Sequence, residues 1–392
     1  MGRLIILVLL LAFGSLGNSQ SVTPNRPDWT VALKKYGWRA PEAESNKSFF
    51  SDYSLTKLEA LDDNTRVKFV TDDLIVVYHT KQQGQEWKTA SRQLEAFFIS
   101  ANDGKLLSVK SWPTVVRGDE SDLIDSESRL IPLSKGRFLV VASKTMMLYG
   151  DNLGLINQKK FDPLTSGNLW SAQSVANGEV VFLRHQSTAD QQTRYYWLAS
   201  DTLLPRSQMS GPRGANFSVV ATAGDNFVLT TLGFAGLGMT TGIGKVSVDG
   251  STMIICSEQF CREGGVAALA MRSVVISGRR GIGVVDIVQG LQWSKQISPS
   301  SNPNTFQFGD VRPAMSANEF AVWVTATRKT LFDGVQVGNK PTLFVYDTSG
   351  KILFTVPVAR KSGDFDFALS PNGNRLAVFD GAGINLYTIP RS

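Results

Sequence analysis

Histidine and cysteine are scarce in this chain. The 392 residues include two histidines and two cysteines, so the usual general base near neutral pH and the soft metal ligands are almost absent. The sequence also lacks the G-x-S-x-G, H-E-x-x-H and P-loop patterns of common hydrolases, metalloproteases and nucleotide-binding enzymes. We therefore expect no catalytic residue of a common kind, no metal and no cofactor.

Long apolar runs are also rare. Residues 4–13 form an unbroken apolar segment, which is shorter than the roughly 20 residues that a membrane span needs. Arg3 precedes this segment, and the small or polar residues 14–19 suit cleavage before Gln20. This pattern is typical of a secretory signal peptide. We expect residues 1–19 to be removed and the mature protein to be secreted or periplasmic, without an integral membrane segment; a retained anchor is the alternative.

A strong excess of one charge is absent as well. Lys and Arg total 40 against 34 Asp and Glu, a formal net charge of +6. A nucleic-acid partner is not expected for an exported protein with so modest a charge.

The two cysteines, Cys256 and Cys261, are five positions apart. In an oxidising compartment an even number of cysteines favours a disulfide, and closing so short a loop stabilises by about 2 kcal/mol. Free thiols are one alternative. Metal binding is another, but it would need His79 or His185 from distant parts of the sequence, and the spacing differs from the usual C-x2-C.

Apolar strands separated by acidic or glycine turns are abundant. Six such turns contain Asp103, Asp151, Asp201, Asp249, Asp286 and Asp347, at successive steps of 48, 50, 48, 37 and 61 residues. This spacing is about the length of one four-stranded propeller blade, and no convincing amphipathic helix lies between the strands. The repeat predicts an all-β protein, a β-propeller, in which the Asp and Gly residues form turns rather than bind ligands.

The number of blades follows from the strands expected after each acidic turn. Six units are complete, and a seventh begins at Asp364 but ends after its third strand. An open final edge would be an aggregation hazard, and the apolar residues within 48–59 are able to supply the missing outer strand. We therefore predict seven blades closed by an N-terminal strand, with eight blades as the alternative. Residues 20–46 are expected to form an extended lead-in, and residues 47–392 a single propeller domain.

Three segments resemble known propeller repeats. Residues 367–378, F-A-L-S-P-N-G-N-R-L-A-V, resemble the "SPDG..LAV" hairpin of WD-type and related bacterial propellers. Residues 285–293 resemble a quinoprotein repeat, although Trp293 falls one residue earlier than in that pattern, and residues 343–351 are similar to both. The chain after residue 64 thus resembles the secreted bacterial β-propellers of the WD-type, YVTN and quinoprotein-like repeat superfamily. The resemblance implies an architecture rather than an activity.

Four long insertions are expected between the second and third strands of their blades, and therefore on one face: residues 80–93, 186–194, 233–244 and 328–341. Loops on a rigid scaffold commonly carry binding residues, although surface hairpins also simply tolerate insertions. The candidate binding residues are Trp87, Lys88, Arg92, His185, Arg194, Tyr195, Phe234, Arg328, Lys329 and Phe332.

These observations favour an exported binding or scaffold module that holds a protein or carbohydrate partner. The alternative is a propeller enzyme, either a quinoprotein-like oxidoreductase or a glycan-acting enzyme, with its site in the central funnel. The sequence lacks the regular Trp-bearing repeats of the first and a matched carboxylate pair for the second.

Overall fold

The computed structural model consists almost entirely of β-strands. It describes residues 25–38, 65–83, 91–114, 123–124, 128–142, 145–160, 169–186, 193–210, 219–221, 227–233, 240–262, 266–270, 273–278, 281–296, 306–315, 318–359 and 365–391. The strands form seven sheets of four or five strands, here called blades, and one separate two-stranded hairpin.

The first three blades follow one another along the chain, after a short first strand, β1 (Trp29–Ala32). Blade 1 contains β2 (Arg66–Thr71), β3 (Leu74–Gln83), β4 (Ser91–Ser100) and β5 (Leu106–Thr114). After β6 (Leu123–Ile124), blade 2 contains β7 (Leu130–Pro132), β8 (Phe138–Ala142), β9 (Thr145–Tyr149) and β10 (Leu155–Lys160). Blade 3 contains β11 (Leu169–Val175), β12 (Val180–Gln186), β13 (Thr193–Ala199) and β14 (Pro205–Ser210), and β6 adds to it beside β11.

The other four blades complete the ring. Blade 4 contains β15 (Val219–Ala221), β16 (Phe227–Gly233), β17 (Thr240–Ser247) and β18 (Thr252–Cys256), and helix α1 (Gln259–Arg262) follows it. Blade 5 contains β19 (Val266–Ala270), β20 (Ser273–Gly278), β21 (Gly281–Asp286) and β22 (Gly290–Gln296). Blade 6 contains β23 (Phe306–Pro313), β24 (Glu319–Ala326), β27 (Thr342–Asp347) and β28 (Ile352–Pro357), with the hairpin β25 (Thr330–Phe332) and β26 (Val335–Val337) inserted in its middle. Blade 7 contains β29 (Asp366–Leu369), β30 (Arg375–Phe379), β31 (Gly383–Thr388) and β1.

The burial patterns explain why these segments form blades. Second strands such as β8, Phe-Leu-Val-Val-Ala, are buried at every position, because both faces of a blade pack against neighbouring blades. Outer strands such as β5 alternate between exposed residues and partly or fully buried ones, as expected for a strand with one solvated face. Seven apolar clusters result, and each combines side chains of two adjacent blades. The protein is therefore a seven-bladed β-propeller, as the sequence predicted.

An N-terminal strand closes the ring, but it is not the predicted one. β1 pairs antiparallel with β31 and supplies the outer strand of blade 7. Trp29 donates a hydrogen bond from Nε1 to the carbonyl oxygen of Ala101 in blade 1, at 3.0 Å, and Val31 is buried in the apolar cluster between blades 7 and 1. The closing strand is thus Trp29–Ala32 rather than a strand from residues 48–59, which lie outside the described residues.

The acidic turns join the third and fourth strands of the blades and are held by their own side chains. Oδ1 of Asp347 accepts hydrogen bonds from the backbone N–H groups of Ser349 and Lys351, at 2.9 and 3.0 Å. The equivalent carboxylate of Asp249 accepts from Ser251, at 2.9 Å. Asp103 and Asp286 make the same kind of bond, to the N–H two residues further on. These are Asx turns, so the acidic residues at these four turns have the structural role that the sequence predicted. Asp201 instead accepts from the N–H of the adjacent Thr202, and Asn152 rather than Asp151 accepts the bond from Gly154 in the turn of blade 2.

Cys256 and Cys261 form the predicted disulfide. It ties α1 to the end of β18 and places the fully buried Phe260 between blades 4 and 5. The strand glycines there leave room for this segment, because a Cβ at Gly283 would lie 2.6 Å from the Phe260 ring and one at Gly242 only 2.1 Å from the Cys256 carbonyl oxygen. Gly242 belongs to the glycine-rich stretch 233–244, so packing explains at least this part of it.

Candidate functional site

Three long connections emerge from one face of the propeller. They follow the terminal strand pairs Gln83↔Ser91, Gln186↔Thr193 and Gly233↔Thr240, which join the second and third strands of blades 1, 3 and 4. Because successive strands of a blade are antiparallel, these connections share a face with the links between blades, and the acidic turns lie on the opposite face. We call these the loop face and the turn face. Trp87, Lys88 and Phe234 lie within the loops and outside the described residues.

The fourth insertion, residues 328–341, folds back onto its own blade. Its hairpin β25–β26 places Phe332 in the apolar cluster between blades 5 and 6. There the centroid of the Phe332 ring lies 5.2 Å from that of Phe308 and 5.3 Å from that of Phe344. At the tip, Oδ1 of Asp333 lies 2.7 Å from Lys295 Nζ of blade 5. Phe332 is therefore 7% exposed and packs in the core, whereas Arg328 and Lys329 at the base of the hairpin remain exposed.

The candidate residues of blade 3 lie where β12 and β13 meet the loop face. His185 is directly opposite Arg194 in the strand register, and His185 is buried while Arg194 is partly exposed. Tyr195 is 2% exposed, and its ring stacks against Phe182 with 5.9 Å between the centroids. Burial raises the pKa of the Tyr195 hydroxyl, and the charge of Arg184 opposes this shift. Arg194 is thus the accessible member of the group, whereas Tyr195, the next residue of the strand, points to the opposite face of the blade and packs in the core.

Arg92 belongs to β4, beside the first long connection. Its backbone pairs with Gln82 of β3 and Thr114 of β5. Arg92 therefore lies on an inner strand of blade 1, close to the end of that strand at the loop face.

A histidine–carboxylate pair lies where blade 1 meets the closing segment. Nε2 of His79 is 3.1 Å from Oε2 of Glu95, directly across the β3–β4 hairpin. This hydrogen bond, together with the charge of Lys81, lowers the pKa of Glu95 and outweighs the effect of burial. The indole of Trp38 packs beside His79, with its ring centroid 6.3 Å from that of His79 and 5.5 Å from that of Phe379 in blade 7.

The sequence analysis missed Trp38 and Glu95. The residue opposite His79 depends on the register of the hairpin, and the sequence of the seven connecting residues 84–90 does not reveal that register. Trp38 reaches the pair because β1 and the following turn belong to the propeller rather than to a separate lead-in.

Several candidate features of the sequence receive no structural support or test. Among the described residues, no cluster of three His, Cys, Asp or Glu side chains has a metal-binding arrangement. A cluster of acidic residues in the sequence offers oxygen ligands of the kind that calcium takes, although it lacks the glycine of a D-x-D-x-D-G loop: Asp119, Glu120, Asp122, Asp125 and Glu127. All five lie outside the described residues. Within the described parts of the chain, no helix is long and apolar enough to cross a membrane.

Comparisons with known proteins find similarity to solved structures alone. No protein-family model matches the sequence, and no curated protein matches it significantly. Solved structures with a similar fold include the Cps50 (Swd1) β-propeller domain of Myceliophteria thermophila, with 12% identity, a TM-score of 0.49 and coverage of 84% of this chain and 97% of that chain. A chain of the mitotic checkpoint complex has 11% identity and a TM-score of 0.47, with coverage of 95% and 94%. An uncharacterised protein of Listeria monocytogenes has 11% identity and a TM-score of 0.46, with coverage of 84% and 96%.

Structural similarities with such low identities and TM-scores do not assign a ligand or an activity to this protein. The class of protein rests on the strand topology: seven antiparallel blades in a ring, closed by an N-terminal strand. This agrees with the propeller architecture that the sequence resemblance implied. The secreted, bacterial and quinoprotein-like aspects of that resemblance stay predictions.

Proposed function

We propose that this protein is an exported binding or scaffold module whose loop face holds a protein or carbohydrate partner. The observation that carries the proposal is the placement of the three long connections 84–90, 187–192 and 234–239, which all leave the loop face. At the equivalent place in blades 2, 5 and 7 the turns are short: residues 143–144, 279–280 and 380–382. Long loops on one end of a rigid scaffold are a common arrangement for binding.

The ring beneath these loops is well suited to hold them. Each blade shares a buried apolar cluster with both of its neighbours, and β1 joins the first part of the chain to the last blade. A scaffold of this kind fixes the ends of each loop, and this lowers the entropy cost when a partner binds.

The charges of the loop face favour an acidic or hydroxyl-rich partner. Arg328 and Lys329 are exposed there, and Lys81 and Arg194 are partly exposed. The acidic residues Glu95 and Asp333 are paired with His79 and Lys295. Exposed arginine and lysine side chains bind carboxylates and other anionic groups through charge-assisted hydrogen bonds.

The experiment compares partner capture by two matched variants. One carries Arg328→Ala and Lys329→Ala on the loop face, and the other carries Lys105→Ala and Lys351→Ala on the turn face, so both lose two positive charges. The probes are the extracytoplasmic proteins of the source cells and an array of neutral and acidic glycans. We expect the first variant to lose most of the capture and the second to retain it.

A third variant removes the loops themselves. Residues 84–90, 187–192 and 234–239 are each replaced by Asn-Gly, which favours a tight hairpin turn. Capture should then be abolished while the melting temperature stays close to that of the wild type. Capture that is unchanged in this variant would refute the proposed function.

A further inference from the structure

The side chain of Trp38 contains a buried hydrogen-bond donor without an acceptor. Trp38 is 5% exposed, and its Nε1–H has no hydrogen-bond partner in the part of the chain that the structure describes. Trp29 instead donates to the carbonyl oxygen of Ala101, at 3.0 Å. Trp112 likewise donates to the hydroxyl of Tyr149, at 2.8 Å. Packing of the Trp38 ring does not require the nitrogen, whereas leaving a buried N–H unpaired is unfavourable, so the nitrogen needs another explanation.

An acceptor that the chain does not use lies on the neighbouring ring of His79. The ring centroids of Trp38 and His79 are 6.3 Å apart. Nε2 of His79 is hydrogen-bonded to Oε2 of Glu95, and His79 makes no other hydrogen bond in the described structure. An ionised carboxylate only accepts hydrogen bonds, so Nε2 holds the proton, and Nδ1 of the neutral imidazole is an acceptor. Two neighbouring rings thus present one donor and one acceptor.

Both rings are held in place by the blades on either side. His79 lies on β3, four residues before the loop-face end of the strand at Gln83, and its ring centroid is 6.2 Å from that of Phe97. The Trp38 ring meets the Phe379 ring of blade 7 edge to face, with 5.5 Å between the centroids. Apolar walls with a few fixed polar groups are typical of small-ligand sites. The junction of blades 1 and 7 therefore has the composition of a binding site.

We propose that the rings of Trp38 and His79 bind a hydroxyl group of a carbohydrate. The hydroxyl oxygen accepts the hydrogen bond from the Trp38 N–H, and the hydroxyl proton is donated to Nδ1 of His79. A hydroxyl both donates and accepts, whereas a carboxylate has no proton for Nδ1 and an ammonium group has no lone pair for the indole N–H. The proposal rests on the proposed function and selects a carbohydrate, not a protein, as the partner.

Polar groups beside the two rings match the neighbouring hydroxyls of a sugar. The Glu95 side chain is 17% exposed, and Lys81, two residues after His79 on β3, is partly exposed. Side chains two apart on a strand share a face, and the charge of Lys81 contributes to the lowered pKa of Glu95. A sugar presents hydroxyls on adjacent carbons, whereas a serine or threonine side chain presents one. The carboxylate and the ammonium group thus favour a sugar over a hydroxyl of a protein.

Two matched variants test the donor. The probe is an array of neutral glycans, and the glycan that the wild type binds most tightly is then titrated by calorimetry. Trp38→Phe should raise its dissociation constant about tenfold, because the hydrogen bond from the indole is lost. Trp112→Phe loses the same volume from another buried position, together with the bond to Tyr149. It should lower the melting temperature more than Trp38→Phe does and leave the affinity unchanged.

His79→Gln tests the acceptor. The glutamine amide keeps an N–H donor for Glu95 near the position of Nε2 and removes the acceptor at Nδ1. The melting temperature should stay close to that of the wild type, while the dissociation constant rises about tenfold. Because Trp38 and His79 contact the same hydroxyl, the double variant should be weakened by clearly less than the product of the two single effects.

Two results would overturn the proposal: a wild type that binds no neutral glycan, or a Trp38→Phe variant with unchanged affinity. If that variant is also destabilised as much as Trp112→Phe, a structural water holds the indole N–H instead. Failure of the proposed function looks different, because the variant without the three loops would then keep its capture. Failure of this site alone would leave capture dependent on the loops and independent of Trp38.

Discussion

The Asp366 carboxylate of blade 7 accepts a hydrogen bond from the backbone N–H of Val67 in blade 1, with 2.8 Å between Oδ2 and the nitrogen. Its other oxygen, Oδ1, lies 3.2 Å from Nη2 of Arg312 in blade 6. Asp366 is 1% exposed. One buried carboxylate on an innermost strand therefore joins three successive blades at the point where the two ends of the chain meet.

Asp366→Ala is expected to lower the free energy of unfolding by about 3 kcal/mol, because it removes the acceptor of the Val67 N–H and one anionic partner of Arg312. Asp366→Asn should cost less, since its amide oxygen can still accept from Val67. Urea denaturation followed by tryptophan fluorescence measures both. An alanine variant as stable as the wild type would show that this contact does not hold the ring together.

Gly104 tests the closing strand more locally. It has a φ of +69°, and a Cβ there would lie 2.7 Å from Cγ2 of Val31 on β1. Gly250 is its matched control, because it has a φ of +84° but no atom within 4 Å of a Cβ. Alanine at either position costs about 1 kcal/mol for the left-handed backbone. Gly104→Ala should cost about 1–2 kcal/mol more, because Val31 must move; equal losses for the two variants would contradict the packing of β1 against blade 1.

Glu95 should make the free energy of unfolding depend on pH in the acidic range. The hydrogen bond from His79 lowers its pKa below the ordinary value of 4.5. The carboxylate therefore contributes stability that is fully present above that ordinary value, and this contribution is lost as pH falls through the lowered pKa of the folded state. Glu95→Gln should cost about 1 kcal/mol at pH 7, and the difference from the wild type should shrink as pH falls below the ordinary value of 4.5.

Thermal unfolding between pH 3 and pH 7 checks this prediction. Glu179→Gln, at an exposed position of blade 3, is the control and should follow the wild type over the whole range. A difference between the wild type and Glu95→Gln that stays constant with pH would contradict the role of the His79–Glu95 pair.

The blade repeat could be predicted from the sequence because its signals are local. Acidic turn residues and short apolar runs lie within a few residues of one another, and the strand expected after the turn at Asp249 is present as β18 (Thr252–Cys256). The closing strand could not be found in this way. β1 has four residues, follows Pro27, and pairs with a strand near the other end of the chain, so the interactions that stabilise it are non-local.

The candidate site was predictable in its position but not in all of its residues. The loop-face location of the long connections follows from counting strands. The burial of Phe332 had a signal that was not used: Asp333-Gly334 between alternating apolar residues is a strong hairpin pattern, and both residues have positive φ, 49° and 79°. That hairpin turns Phe332 and Val337 towards the blade. Such packing depends on the neighbouring blade, which a local pattern does not specify.

The central claim is that the loop face, and not the turn face, holds the partner. Hydrogen–deuterium exchange with and without a captured partner tests it most directly. We expect new protection in peptides covering residues 80–93, 184–195 and 233–244, and unchanged exchange in the acidic turns at Asp103, Asp249 and Asp347. Protection confined to those turns or to the outer strands, with the loop face unchanged, would contradict the account.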